Sequence, residues 1–197
     1  DCGGPIAPAR SIRGAAWDVL TLRNLGGGGH GCNDRNELFS NARRRWHQCL
    51  MYGFALCFAS TCAAAAYEHL LGRIAPYPWL SLPVLLGTAG GLGMVIGAAG
   101  LCLVKSSRDP APGAPELQGA DYGLLVLMFL TALTGLLLLL LRETSAMGIL
   151  LAVHLGVIFS FFLVLPFSKF VHGIYRAAAL LRHAAERTIS PTGATRE

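Results

Sequence analysis

The sequence predicts an all-α integral membrane protein, a four-helix transmembrane bundle. Three observations lead there. Of its 197 residues, 53% are hydrophobic and only 14% are charged. The apolar residues gather in four long blocks instead of recurring at the period of one globular helix face. Each block reaches the roughly 20 residues that cross about 30 Å of hydrocarbon. The blocks run over 46–71, 82–104, 122–141 and 147–170. They give a membrane domain at 46–180, an N-terminal segment at 1–45 and a tail at 181–197.

Residues 1–45 are rich in Pro, Gly, Arg and Asn, with one short helix expected over 15–24. No apolar run followed by a small-residue cleavage site marks a signal peptide there. The chain starts at Asp1 instead of Met, and is expected to be a fragment or shortened product lacking an upstream domain. The glycines at 26–29, followed by His30, Gly31 and Cys32, lack the Gly-Lys-Ser/Thr ending of a phosphate loop and no strand precedes them, so they read as a flexible turn.

The first span follows Arg43, Arg44 and Arg45 and carries His47 and His69 near its two ends. Pro76, Tyr77, Pro78 and Trp79 then form a rigid external turn with aromatic anchors at interface depth. In the second span Gly87, Gly91, Gly93, Gly97 and Gly100 make two small-xxx-small patterns, which let helix backbones approach where lipid offers no hydrophobic drive. The same glycines could also clear room for a flat macrocycle. The Pro- and Gly-rich stretch 106–120 is expected to be irregular, and the tail beyond Thr188 disordered. The fourth span holds His154 and ends near Lys169, His172 and Arg176.

Basic residues orient the bundle. Arg35 and Arg43–Arg45 precede the first span, Lys105 and Arg108 follow the second, and Lys169, Arg176, Arg182 and Arg187 follow the fourth, whereas the other two loops hold Arg73 and Arg142. The positive-inside rule then places both termini and the middle loop in the cytoplasm, as for a multi-pass protein of a bacterial inner (cytoplasmic) membrane. The net charge of +5 is accounted for by topology. No basic patch interleaved with exposed aromatics suggests nucleic acid as a partner.

The histidines carry the chemistry. At about 100° and 1.5 Å per residue, the 18-residue step from His154 to His172 returns to one helix face roughly 27 Å further on, and the 22-residue step from His47 to His69 returns about 40° from it after roughly 33 Å. Antiparallel first and fourth spans would bring His47 to His172 at the cytoplasmic level and His69 to His154 at the outer level. Opposed imidazoles at a level are what a six-coordinate b-type haem requires, so the pattern suggests two haems, with one alone also compatible.

Each histidine has a plainer reading beside this. His47 could bond headgroups at the interface, and His69, next to Glu68, could be solvated. His154 is the hardest to explain plainly, because an imidazole in so apolar a run needs a partner. His172 lies at the inner boundary but shares the phase of His154, whereas His30 and His183 fall outside the pattern. Lys169 and Arg176 are candidates for a haem propionate or a quinone oxygen, with solvated inside-positive charge as the simpler account; Glu68 and Arg142 stand similarly at the outer surface. Cys2, Cys32, Cys49, Cys57, Cys62 and Cys102 show no zinc, iron-sulfur or covalent-haem spacing. No nucleophile with a base and an orienting partner is visible.

Several stretches together resemble the tricarballylate (citrate) utilisation protein B family: GGGGHGCNDR at 26–35, SNARRRWH at 40–47, YGFALCFAST at 52–61, APYPWLSLPVLLG at 75–87 and LVLPFSKFVHGIY at 163–175. The resemblance covers nearly the whole chain. It implies a ferredoxin-type iron-sulfur domain followed by a four-helix haem-binding membrane domain, distantly similar to the gamma subunit of respiratory nitrate reductase. It also implies a role in reoxidising the flavin of a partner tricarballylate dehydrogenase and passing electrons to quinone. His47, His154 and His172 carry over as haem ligands, and the family's fourth histidine falls at His69 or at the adjacent Glu68. The iron-sulfur cysteine motif expected for the family is absent here. The expected protein is thus a b-type cytochrome in the lipid bilayer, in which the cofactor supplies the redox chemistry. The alternative is a haem-free membrane anchor or transporter subunit; transporters usually show discontinuous helices and repeats, and the only mid-helix breakers here are the glycines of the second span.

Overall fold

The computed structural model describes residues 16–17, 21, 41–106, 115–168, 171, 173, 175, 177–179 and 181–182. The glycine run at 26–29 and the tail beyond Thr188 lie outside them. Four long helices follow in order: α1 (Ala42–His69), α2 (Leu82–Ser106), α3 (Pro115–Leu140) and α4 (Met147–Val164). No strand occurs among the described residues. Four stretches, Ala42–His69, Leu82–Ser106, Tyr122–Leu140 and Met147–Phe167, are long and apolar enough to cross a membrane. They match the four blocks of the sequence to within a few residues.

Two elements differ from expectation. The stretch 106–120 is not irregular throughout, because α3 already starts at Pro115. In a first helical turn proline's missing N–H costs no bond and its fixed φ is already helical, so a residue that marks a breaker elsewhere marks a start here. At the other end, α4 stops at Val164 and the chain continues as a 3-10 turn, Leu165–Phe167. Pro166 within that turn cannot donate the next helical bond and would crowd the carbonyl four residues back.

Of the helix expected over 15–24, Ala16, Trp17 and Thr21 are helical. The Thr21 carbonyl accepts hydrogen bonds from Arg44 (3.2 and 2.7 Å) and from the Gln48 amide (3.0 Å). Arg44, one of the topological charges, therefore also fastens the N-terminal segment to the start of α1. At its far end α1 closes on Gly72, whose φ of 62° is open to glycine at little cost, and the Arg73 N–H reaches back to the Tyr67 carbonyl at 2.9 Å.

Helices α1 and α2 pack backbone to backbone. A methyl group at Gly97 would lie 2.5 Å from the Leu50 nitrogen, one at Gly53 would lie 2.5 Å from the Met94 nitrogen, and one at Gly100 would overlap the Trp46 ring. The glycines of the second span thus serve close helix approach. The core centres on Met94 and Ala98 of α2, almost wholly buried, with Leu50, Met128, Ala132 and Phe161 around them. The ring of Phe54 on α1 meets that of Phe161 on α4, centroids 6.0 Å apart, which closes the bundle between its first and last helices.

Candidate cofactor site

Between the four helices lies a mostly apolar cavity of about 500 Å³, within the size range of small-molecule and cofactor sites. Phe54, Cys57 and Thr61 line it from α1, Met94 from α2, Met128 and Gly135 from α3, and His154 and Phe161 from α4. Five of these carry a polar or sulfur-bearing group, two on α1 and one on each of the other helices, and His154 contributes the single imidazole among the described lining residues.

His154 lies in the first half of α4, half-buried. Its Nδ1 is 2.8 Å from the hydroxyl of Thr134 on α3, a residue only 8% exposed, whose Oγ1 is also 2.7 Å from the Leu130 carbonyl. Beside it Gly135 leaves space for the ring: a methyl group there would stand 3.1 Å from His154 Cε1. The costly imidazole of the fourth span therefore has its partner within the bundle, and its other nitrogen is left for whatever fills the cavity.

The other expected ligands are placed differently. His47 is half-buried near the start of α1, with its Nδ1 inside the protein. His69 is the last residue of α1 and exposed. With Phe54 facing Phe161 on antiparallel helices, seven further residues along each bring Thr61 level with His154. His69 lies eight residues beyond Thr61, about 12 Å further along the axis. The structure thus does not bring His69 and His154 to one level; equal placement near the two helix ends is a weaker constraint than the register set by aromatic packing. His172, Lys169 and Arg176 lie outside the described residues. Among the described residues no three or more His, Cys, Asp or Glu converge as a metal site.

The residues present fit one side of a haem: an imidazole held by a hydroxyl on its far nitrogen, facing an apolar chamber of suitable size. Iron-ligating histidines characteristically have such a partner on the other ring nitrogen. Cys49, Cys57, Cys62 and Cys102 are free thiols, so none is committed to a disulfide.

Arg142 takes a role the sequence did not indicate. Its guanidinium stacks 4.1 Å from the Trp79 ring centroid, donates to the Tyr77 carbonyl at 2.7 Å and lies 3.7 Å from the Glu143 carboxylate. It staples the loop between α3 and α4 to the loop between α1 and α2, whose Tyr77 lines the cavity. Thr134 was also missed. Its one signal in sequence is a second threonine in LTALTGLLLLL, where a hydroxyl has no apolar purpose.

Fold and cavity define a helical, multi-pass membrane protein with, among the described residues, one imidazole presented to a cofactor-sized chamber. The profile of the family described as Citrate utilization protein B matches residues 2–193, and the chain belongs to that family. It is 46% identical over 185 residues to the Citrate utilization protein B of Escherichia coli, covering 93% of this chain and 49% of that protein. The chain spans about half the length of the curated relative it matches. No solved structure matches it.

Proposed function

We propose that this chain is the membrane electron-carrying part of a citrate-utilisation system: a b-type cytochrome that takes electrons from a reduced flavoprotein, a tricarballylate or citrate utilisation dehydrogenase, and passes them to quinone. The observation that carries the reading is His154, a half-buried imidazole held by Thr134 at the wall of an apolar cavity. When bound there, haem would supply one-electron chemistry that no side chain of the bundle can. His154 would ligate it, Phe54, Met94, Met128 and Phe161 would exclude water from it, and Gly135 would leave the ring its position.

His47 and His172 are the proposed ligands of a site at the cytoplasmic level, with Lys169 and Arg176 as its cationic partners. His69 stays in the proposal only as the family's outer histidine, since the register here sets it about 12 Å from the level of His154. The arginine-rich N-terminal flank and the sparse charge of the outer loops support cytoplasmic termini in a bacterial inner membrane. The likeness to the nitrate reductase gamma subunit belongs to this same reading, as does an iron-sulfur domain elsewhere in the system.

The test is a reduced-minus-oxidised spectrum of membranes carrying the protein. A sharp α band is expected, and His154→Ala should abolish or halve it. A flat spectrum from well-expressed protein would leave the membrane-anchor or transporter-subunit reading in its place, and a band untouched by His154→Ala would remove that residue as a ligand.

A further inference from the structure

We infer that Thr134 is a positioning residue that fixes the proton of His154 on Nδ1 and thereby makes Nε2 the nitrogen offered to the cavity. The inference rests on the haem reading for its consequence, but the proton placement follows from distances alone.

The hydroxyl oxygen of Thr134 makes two short contacts, 2.7 Å to the Leu130 carbonyl oxygen and 2.8 Å to His154 Nδ1. Each contact needs a proton between its heavy atoms. The carbonyl has none to give and threonine has one. If that one pointed at Nδ1, two oxygen lone pairs would face each other at 2.7 Å with nothing between them. The arrangement that satisfies both contacts sends the hydroxyl proton to Leu130 and takes the second proton from Nδ1–H. A neutral imidazole with its proton on Nδ1 has its lone pair on Nε2.

Thr134 is suited to the task because it is only 8% exposed, so water does not compete for its hydroxyl. Bonding to the carbonyl four residues back locks its rotor. Gly135, next in sequence, leaves the ring space on the same face of α3. Three adjacent features of one helix turn thus hold an imidazole contributed by another helix.

Two measurements on the full chain in detergent micelles test this. The first needs no haem: nitrogen NMR of the protein labelled with 15N-histidine and prepared without haem should show His154 protonated on Nδ1 and bare on Nε2. The opposite tautomer in the unsubstituted protein would overturn the inference. The second is titration with haemin. Thr134→Val keeps the shape and removes the acceptor, and should weaken haemin binding about 10- to 100-fold. Thr134→Ser restores the hydroxyl and should recover most of that loss. Where haemin binds through His154, equal affinity for all three proteins would overturn the inference, as would failure of serine to rescue a folded valine variant. If the Nδ1–H tautomer is found but haemin does not bind through His154, the haem reading fails while the placement of the proton by Thr134 stands.

Discussion

The α1–α2 pair and the α3–α4 pair solve the same packing problem in opposite ways. Between α1 and α2, glycines bring backbones into contact, and the space a methyl group would need is already taken by main-chain atoms or the Trp46 ring. Between α3 and α4, the glycine at the interface, Gly135, faces the His154 ring instead of main chain, and the polar contact of Thr134 with His154 crosses the gap. In lipid, where apolar surface gains nothing by leaving solvent, close backbone packing is the route to a rigid pair. The looser pair is where a chamber can open and an imidazole can be housed. Rigidity on one side and room on the other follow from what faces the interface glycines, main chain or the Trp46 ring between α1 and α2 and an imidazole between α3 and α4.

If that contrast is right, substitutions should fall in a steep order. Gly97→Val should do most harm, because its side chain would meet Leu50 backbone that cannot move without parting the helices; unfolding by SDS titration should show a loss of at least about 3 kcal/mol. A mild effect there would mean the α1–α2 seam is less rigid than its geometry. Arg142→Ala should come next, losing a charged hydrogen bond to Tyr77 and the Trp79 stack for about 2 kcal/mol, with the two loops it joins becoming sensitive to added protease. Gly135→Ala should leave stability within about 1 kcal/mol, since a 3.1 Å contact to a ring edge needs a shift of only a few tenths of an ångström. Its effect belongs to the site: the spectrum of the proposed haem should move while expression does not. Smallest of all, Gly156→Ala meets no atom within 4 Å and should be neutral or stabilising by up to about 1 kcal/mol through helix propensity. A large loss at Gly156 would show that this face of α4 is not simply exposed.

His154 and Thr134 show how much of the site could be read in advance. His154 stood out because an imidazole amid Leu, Val and Ile is expensive enough to demand a reason, and local composition reveals that expense. Its partner lies twenty residues earlier on another helix, and a threonine in a spanning segment is common enough to pass unnoticed. Likewise Arg142 was visible as a charge, but not as the staple between two loops. The offset between His69 and His154 was hidden for a related reason: helix arithmetic gives each residue's height along its own axis, but not how far one helix slides past another.

Four spans, their limits, the glycine seam and the cost of a membrane-embedded histidine are properties of the linear chain, because length, hydropathy and small-residue spacing act within about one helix and need no knowledge of its neighbours. Register between helices, the cavity they leave and the hydroxyl that meets His154 were decided only by the folded bundle. The reason is that sliding one apolar helix along another changes little in lipid until particular side chains, here Phe54 and Phe161, interlock.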